Sequence, residues 1–208
     1  MLIIGTMELH FTKATGTFAC PHCEQERTYR RRSRRNFLTL YFVPLIPLES
    51  RGQFVECSTC RNAFSLEALE ITVEQVQAQK RLRADEMIRR VLVVIVAADD
   101  DVSDSELDVV CRFAAQAGLP ATTREHILHE ATALRAADMD PIPYLRGAAV
   151  HLNAEDKERL VYHAFLASTA GGQLSAARQE LLSQIPDAIG IPELRFREII
   201  VRAAEERP

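Results

Sequence analysis

Cys20-Pro21-His22-Cys23 and Cys57-Ser58-Thr59-Cys60 hold four of the chain's five cysteines. A Cys-x-x-Cys turn lets both thiolates reach one ion about 2.3 Å away, and two such turns supply the four soft ligands of a tetrahedral zinc site. The 33 residues between the pairs exceed the roughly 15–20 of the usual spacing. The rival readings are disulfides or a redox pair, but a redox Cys-x-x-Cys comes singly and beside a βαβ pattern. Zinc on Cys20, Cys23, Cys57 and Cys60 is the expected cofactor. Four thiolates close the coordination shell and leave no position for a substrate water, so its expected role is structural. His22, inside the first turn, is a surplus ligand.

Two charged clusters also invite chemistry. Arg27-Thr28-Tyr29-Arg30-Arg31-Arg32-Ser33-Arg34-Arg35 packs six arginines into nine residues. Arg30, Arg31, Arg32, Arg34 and Arg35 could grip phosphates of a nucleic acid. They could equally meet an anionic membrane or an acidic partner, helped by the apolar residues that follow. A third reading is a solvated basic hairpin that offsets the charge of a tetrathiolate zinc. The second cluster, Asp99-Asp100-Asp101-Val102-Ser103-Asp104-Ser105-Glu106, falls between two expected helices. Carboxylates at a helix C-terminus are unfavourable, and so is crowding them; a divalent cation relieves both costs. Asp99, Asp101, Asp104 and Glu106 are therefore candidate ligands for Ca²⁺ or Mg²⁺, hard cations that take oxygen ligands. The pattern is not an EF-hand, since Asp104 stands where glycine is needed and Val110 where the closing Glu belongs. A capped helix junction alone also accounts for Ser103 and Glu106.

His126, His129 and Glu130 read as surface residues of a helix whose core face is Ile127, Leu128, Ala131 and Leu134. Cys111, among apolar residues, reads as a small buried hydrophobe. The sequence offers no nucleophile–base pair, no phosphate-binding glycine loop and no paired carboxylates in a cleft, so the expectation is that the protein is not an enzyme.

The elements that must position these groups fall into two regions. Residues 1–70 carry nine Lys and Arg against seven Asp and Glu, a net charge of +2; residues 71–208 carry sixteen against twenty-two, a net of −6. The acidic majority is a poor nucleic-acid binder. The first five residues lack a basic n-region, so no signal peptide is expected. The longest apolar stretch, Phe37 to Leu48, has 12 residues and two prolines, too short for a spanning helix of about 20. A cytoplasmic location, which keeps thiols reduced, fits zinc-binding cysteines.

Residues 1–70 read as strands at Leu2–Ile4, Phe37–Val43, Phe54–Glu56 and Leu69–Ile71, with Pro44 and Pro47 breaking the second. Their core is small, so metal should supply much of the folding free energy. From about Thr72 the period becomes helical. Residues 71–84 read as a helical linker. Ala84, Met87, Ile88, Val91, Leu92, Ile95 and Ala98 mark one buried face. Ser103 to Glu106 and Thr122 to Glu125 fit capping boxes. Asp140-Pro141, Asn153, Ser175 and Pro192 mark further helix starts, and Gly118 and Gly190 helix stops. The fold class is α+β, a small β-rich domain followed by an all-α bundle of about seven helices over residues 85–208. A faint repeat lays Val94–Ser103 on Leu166–Ser175 at an offset of 72 residues, with Asp99 falling on Gly171 and Glu106 on Arg178.

Two family resemblances rest on these motifs. Leu2-Ile3-Ile4-Gly5-Thr6, the Cys20–Cys23 knuckle, Tyr41-Phe42-Val43-Pro44-Leu45-Ile46-Pro47-Leu48 and the Cys57–Cys60 knuckle together resemble a small zinc-ribbon domain found fused to other bacterial modules. Ala97-Ala98-Asp99-Asp100-Asp101-Val102-Ser103-Asp104-Ser105-Glu106 resembles the mark of the TerB tellurite-resistance family, with Asp100 in place of its glycine and the second acidic site lost at Gly171 and Arg178. The resemblance implies a bundle of about seven helices with an acidic, cation-binding surface, serving in stress-response assemblies near the bacterial membrane. The expected function is a zinc-binding scaffold that holds protein partners, at the inner face of the membrane as a peripheral protein. The alternatives are a nucleic-acid-binding regulator acting through the arginines and a metal-dependent enzyme at the acidic turn.

Overall fold

A computed structural model describes residues 4–40, 43–98, 102–120, 122–172 and 174–206. The chain divides into two compact units, Met1–Lys80 and Arg81–Pro208. The division falls inside a single helix.

The first unit is an antiparallel meander of β1 (Ile4–Cys20), β2 (Gln25–Leu40), β3 (Val43–Cys57) and the short β4 (Ala63–Phe64), in that spatial order. The first three strands run 17, 16 and 15 residues, so they form a long ribbon. Among the described residues its hydrophobic core lies at the cysteine end, where Phe18, Cys20, Val55, Cys57 and Ala68 are buried. Phe18 packs edge-on against Tyr29, ring centroids 5.7 Å apart, and against Phe64.

Two strand expectations are corrected here. Pro44 and Pro47 do not end a strand; they lie within β3, opposite Thr39 and Phe37, where the pairing register slips. β4 reaches only Val55 and Glu56, so the outer edge of β3 further from the knuckles pairs with no strand among the described residues. A residue without an N–H costs no ladder bond on such an edge. Leu69–Ile71 is not a strand: Leu66–Leu69 form a 3-10 turn that closes the core with Ala68, followed by irregular backbone. The expected Leu2–Ile4 strand lies outside the described residues except for Ile4.

The second unit holds the C-terminal part of α1 (Val73–Ala97) and α2 (Asp104–Gln116), α3 (Arg124–Ala136), α4 (Pro141–Ala149), α5 (Ala154–Thr169), α6 (Ala176–Ile189) and α7 (Glu193–Glu205). Residues 71–84 contain the start of α1 rather than a separate element. α2 packs on α3 and α5, α4 on α6, and α7 on α5. The expected single buried face of α1 is too narrow: every residue from Val91 to Ala97 is buried. A helix apolar all round is one its neighbours surround, and the run Val91-Leu92-Val93-Val94-Ile95-Val96-Ala97 is its signature.

The caps explain where the helices start. Ser103, Thr123, Asp140, Asn153 and Ser175 each accept a hydrogen bond from a backbone N–H of the first turn, satisfying donors that otherwise have no partner. The box expected at Thr122–Glu125 is replaced by a simple cap one residue on, with His126 where a box needs Glu or Gln. Thr122 donates its hydroxyl to the Pro120 carbonyl, which leaves Thr123 as the cap. On α3, Ile127 and Ala131 are buried as expected, but Leu128 is 43% exposed and lies off the core face. Gly190 ends α6 at φ 69°, a left-handed conformation that costs glycine little.

Candidate metal centre

Each knuckle closes in the same way. The residue after its second cysteine, Glu24 or Arg61, sits at positive φ (58° and 60°) and donates its N–H to the carbonyl of the first cysteine. That turn brings the two thiols of a pair onto one side, and β2 and β3 carry the two pairs together. Cys20 Sγ lies 3.8 Å from Cys60 Sγ, and Cys23 Sγ lies 4.0 Å from Cys57 Sγ. All four sulfurs lie within 4.8 Å of one another. A tetrahedron with zinc–sulfur bonds of about 2.3 Å has edges of about 3.8 Å, so the donor set fits zinc. Cys20 and Cys57 are buried, and Cys23 and Cys60 half-buried.

Four thiols so close cannot all ionise without a cation. Burial pushes the Cys20 thiol up to about 12. Burial acts on Cys57 too, but backbone N–H groups of Cys60 and Thr59 outweigh it and draw that thiol down to about 7. Zinc would displace the remaining protons, and its binding energy would be folding energy for this sheet. Lys80, on the first turns of α1, ion-pairs with Glu24 of the first knuckle. His22 is exposed and not among the clustered ligands.

The arginine segment lies in antiparallel pairing with both β1 and β3. It is the central strand β2, and β3 engages three of the five candidates. Arg32 ion-pairs with Glu56 at 3.0 Å, Arg31 donates to Gln53 at 2.7 Å, and Arg34 stacks 4.6 Å from the Phe54 ring centroid. Arg30, Arg34 and Arg35 are exposed.

At the acidic turn, Asp99 and Asp101 lie outside the described residues. Asp104 is exposed and 3.8 Å from Arg124. Glu106 is corrected as a cation ligand. It is buried, accepts the Ser103 N–H at 3.1 Å in a capping box, and receives both terminal nitrogens of Arg178, Nη2 at 2.9 Å from Oε2. Its carboxylate is spent on the fold. Among the described residues the four cysteines are the one group of three or more clustered metal-binding side chains.

The periodicity did not reveal the buried ions of α1. Asp85 and Arg89 fall on its interior. Asp85 accepts from Arg159 at 2.5 Å, and Arg159 reaches Asp156 at 3.2 Å. Arg89 joins Glu86 and Glu130 at 3.1 and 2.6 Å, and both carboxylates hold its guanidinium well above the ordinary range. Glu130, read as a surface residue, is thus half-buried and structural; His126 stays exposed, 3.9 Å from it. His163 stacks edge-on with Phe113, ring centroids 4.7 Å apart. Burial first, and the Arg159 charge second, pull it down to about 4.

Residues 72–201 match the family model of the tellurite resistance protein TerB, well over half of the chain. The chain belongs to the TerB family. Its TerB unit begins at α1, and a zinc-ribbon family model matches residues 18–112, taking in both knuckles and running on into α2. No curated protein and no solved structure matches the chain. The TerB and ribbon matches, with the four-sulfur cluster, make this a zinc-binding TerB-like protein. No helix among the described residues is long and apolar enough to cross a membrane.

Proposed function

We propose that this protein is a non-enzymatic zinc-binding scaffold of the TerB kind. It acts under tellurite or related chemical stress, holds a protein partner, and works in the cytoplasm at the inner face of the membrane. The observation that carries the reading is the four-thiolate cluster. Its sulfur spacing fits a closed tetrahedron, which leaves no coordination position for chemistry. A metal so held organises a surface.

The nucleic-acid alternative draws support from exposed Arg30, Arg34 and Arg35, but the engagement of Arg31 and Arg32 by β3 counts against it. A catalytic or regulatory divalent cation at the acidic turn is disfavoured by the commitment of Glu106 to Arg178.

The test is growth of the native host under tellurite after deletion, with complementation by the full chain and by its Cys57→Ser variant. The scaffold reading expects tolerance restored by the first and not the second, and a partner that co-purifies with the first alone. Unchanged tolerance on deletion, or turnover of a substrate by the purified zinc form, would overturn it.

A further inference from the structure

The end of the β ribbon away from the knuckles carries exposed apolar residues that lie outside the ribbon's hydrophobic core. Val43, Leu45, Ile46 and Leu48 are 54%, 57%, 54% and 42% exposed, and Phe11 is 40% exposed beside Phe37. Leu45 and Ile46 are consecutive and both open, while Thr39, opposite Pro44, is buried at the same end. Twelve residues from Phe37 to Leu48 include no charge. Thr6, Leu38 and Ile46 pair across the three strands, as do Met7, Phe37 and Pro47, so the uncharged rows form one tip.

Charge begins just behind it. Leu9, Arg35 and Ser50 share the next rows, with Arg34 opposite His10. Counting residues 4–15 and 30–53, the arm holds Lys13 and six arginines against Glu8 and Glu49, a net of +5 in a chain of net −4.

We propose that this tip docks on an anionic lipid surface, with Val43, Leu45, Ile46 and Leu48 entering the interface and Arg34 and Arg35 at the headgroups. The spacing fits. Arg35 is three residues from Leu38, about 10 Å along a strand, and interfacial segments bury their apolar face about 5–10 Å deep. Lipid also penalises unpaired backbone donors. Pro44 and Pro47 remove two N–H groups from the edge strand that would enter first. A nucleic acid would use the arginines and leave the apolar tip unexplained. The inference rests on the peripheral-membrane part of the proposed function and narrows it to one surface.

The experiment is co-sedimentation of the zinc-loaded full chain with vesicles of phosphatidylcholine, alone or with 30% phosphatidylglycerol. The variants are Leu45→Ser/Ile46→Ser and Arg34→Gln/Arg35→Gln, each checked for unchanged circular dichroism and zinc content. Wild type should bind anionic vesicles and bind neutral ones at least tenfold more weakly. Each double variant should lose roughly tenfold or more, since a basic residue near such a surface is worth about 1 kcal/mol. The arginine variant should also show a weaker salt dependence. Wild type that stays in the supernatant, or a Leu45→Ser/Ile46→Ser variant that binds as well as wild type, overturns the proposal. So does a dimer that Leu45→Ser/Ile46→Ser dissolves, or nucleic-acid binding that needs the arginines alone, when either is found without vesicle binding. Tellurite tolerance and partner capture are read separately, so this failure is distinct from failure of the scaffold reading.

Discussion

Glu106 and Arg178 stand 72 residues apart in sequence and meet as a buried bidentate ion pair. Each is the third residue of its helix, α2 or α6, and each helix is capped by a serine, Ser103 or Ser175, at the same 72-residue offset. The repeat therefore places equivalent positions of two helices face to face, with a carboxylate on one and a guanidinium on the other. The guanidinium brings the positive charge that a cation would otherwise supply to Glu106.

Removing one member should leave the other charge buried and unpaired, at a cost of about 3–5 kcal/mol. Glu106→Gln and Arg178→Met should each lower the stability of the helical unit by about that much in urea unfolding. The double variant should cost less than the sum, because it buries no lone charge. Additive losses would mean that the pair contributes no coupling.

Gly171 should not tolerate a side chain. A Cβ there would lie 2.9 Å from Glu106 Oε1 and 3.1 Å from Ser103 Oγ. Both atoms are held, one by Arg178 and one by the cap, so neither can move cheaply. Gly171→Ala should destabilise by about 1–3 kcal/mol, measured by the same unfolding curves, with a smaller loss in an Arg178→Met background.

His163 should make the helical unit sensitive to mild acid. Its folded value near 4 lies below an ordinary imidazole's 6.5, so the unfolded chain binds the proton more readily. The stability this provides is present above about pH 6.5 and drains as pH falls toward 4. The loss is at most about 3 kcal/mol. His163→Phe should flatten the pH dependence of thermal unfolding across that window; an unchanged slope would assign it to other groups.

The sequence revealed what is local. Cysteine spacing defines a ligand set, and capping residues act within one turn, so the knuckles and five of the helix starts were legible. Neighbour-dependent features were not. Pro44 and Pro47 fit inside β3 because, among the described residues, that edge has no partner strand. Asp85 and Arg89 interrupt an apolar face and are tolerated because Arg159, Glu86 and Glu130 arrive from elsewhere in the chain or on the same helix. The 72-residue repeat was readable as an equivalence, but equivalence does not say that two positions touch. Sequence alone therefore leaves Glu106 a candidate cation ligand, whereas in the fold Arg178 lies against it.

One closed tetrathiolate zinc is expected to organise the ribbon. The most direct measurement is the optical spectrum and stoichiometry of the Co²⁺-substituted full chain, with zinc content determined on the native form. One metal per chain and a tetrahedral, four-thiolate spectrum are expected. The spectrum should be lost in Cys57→Ser, together with the sheet's circular dichroism, while the helical signal survives. A chain without zinc, a spectrum showing an exchangeable fifth ligand, or a Cys57→Ser ribbon that stays folded would contradict it.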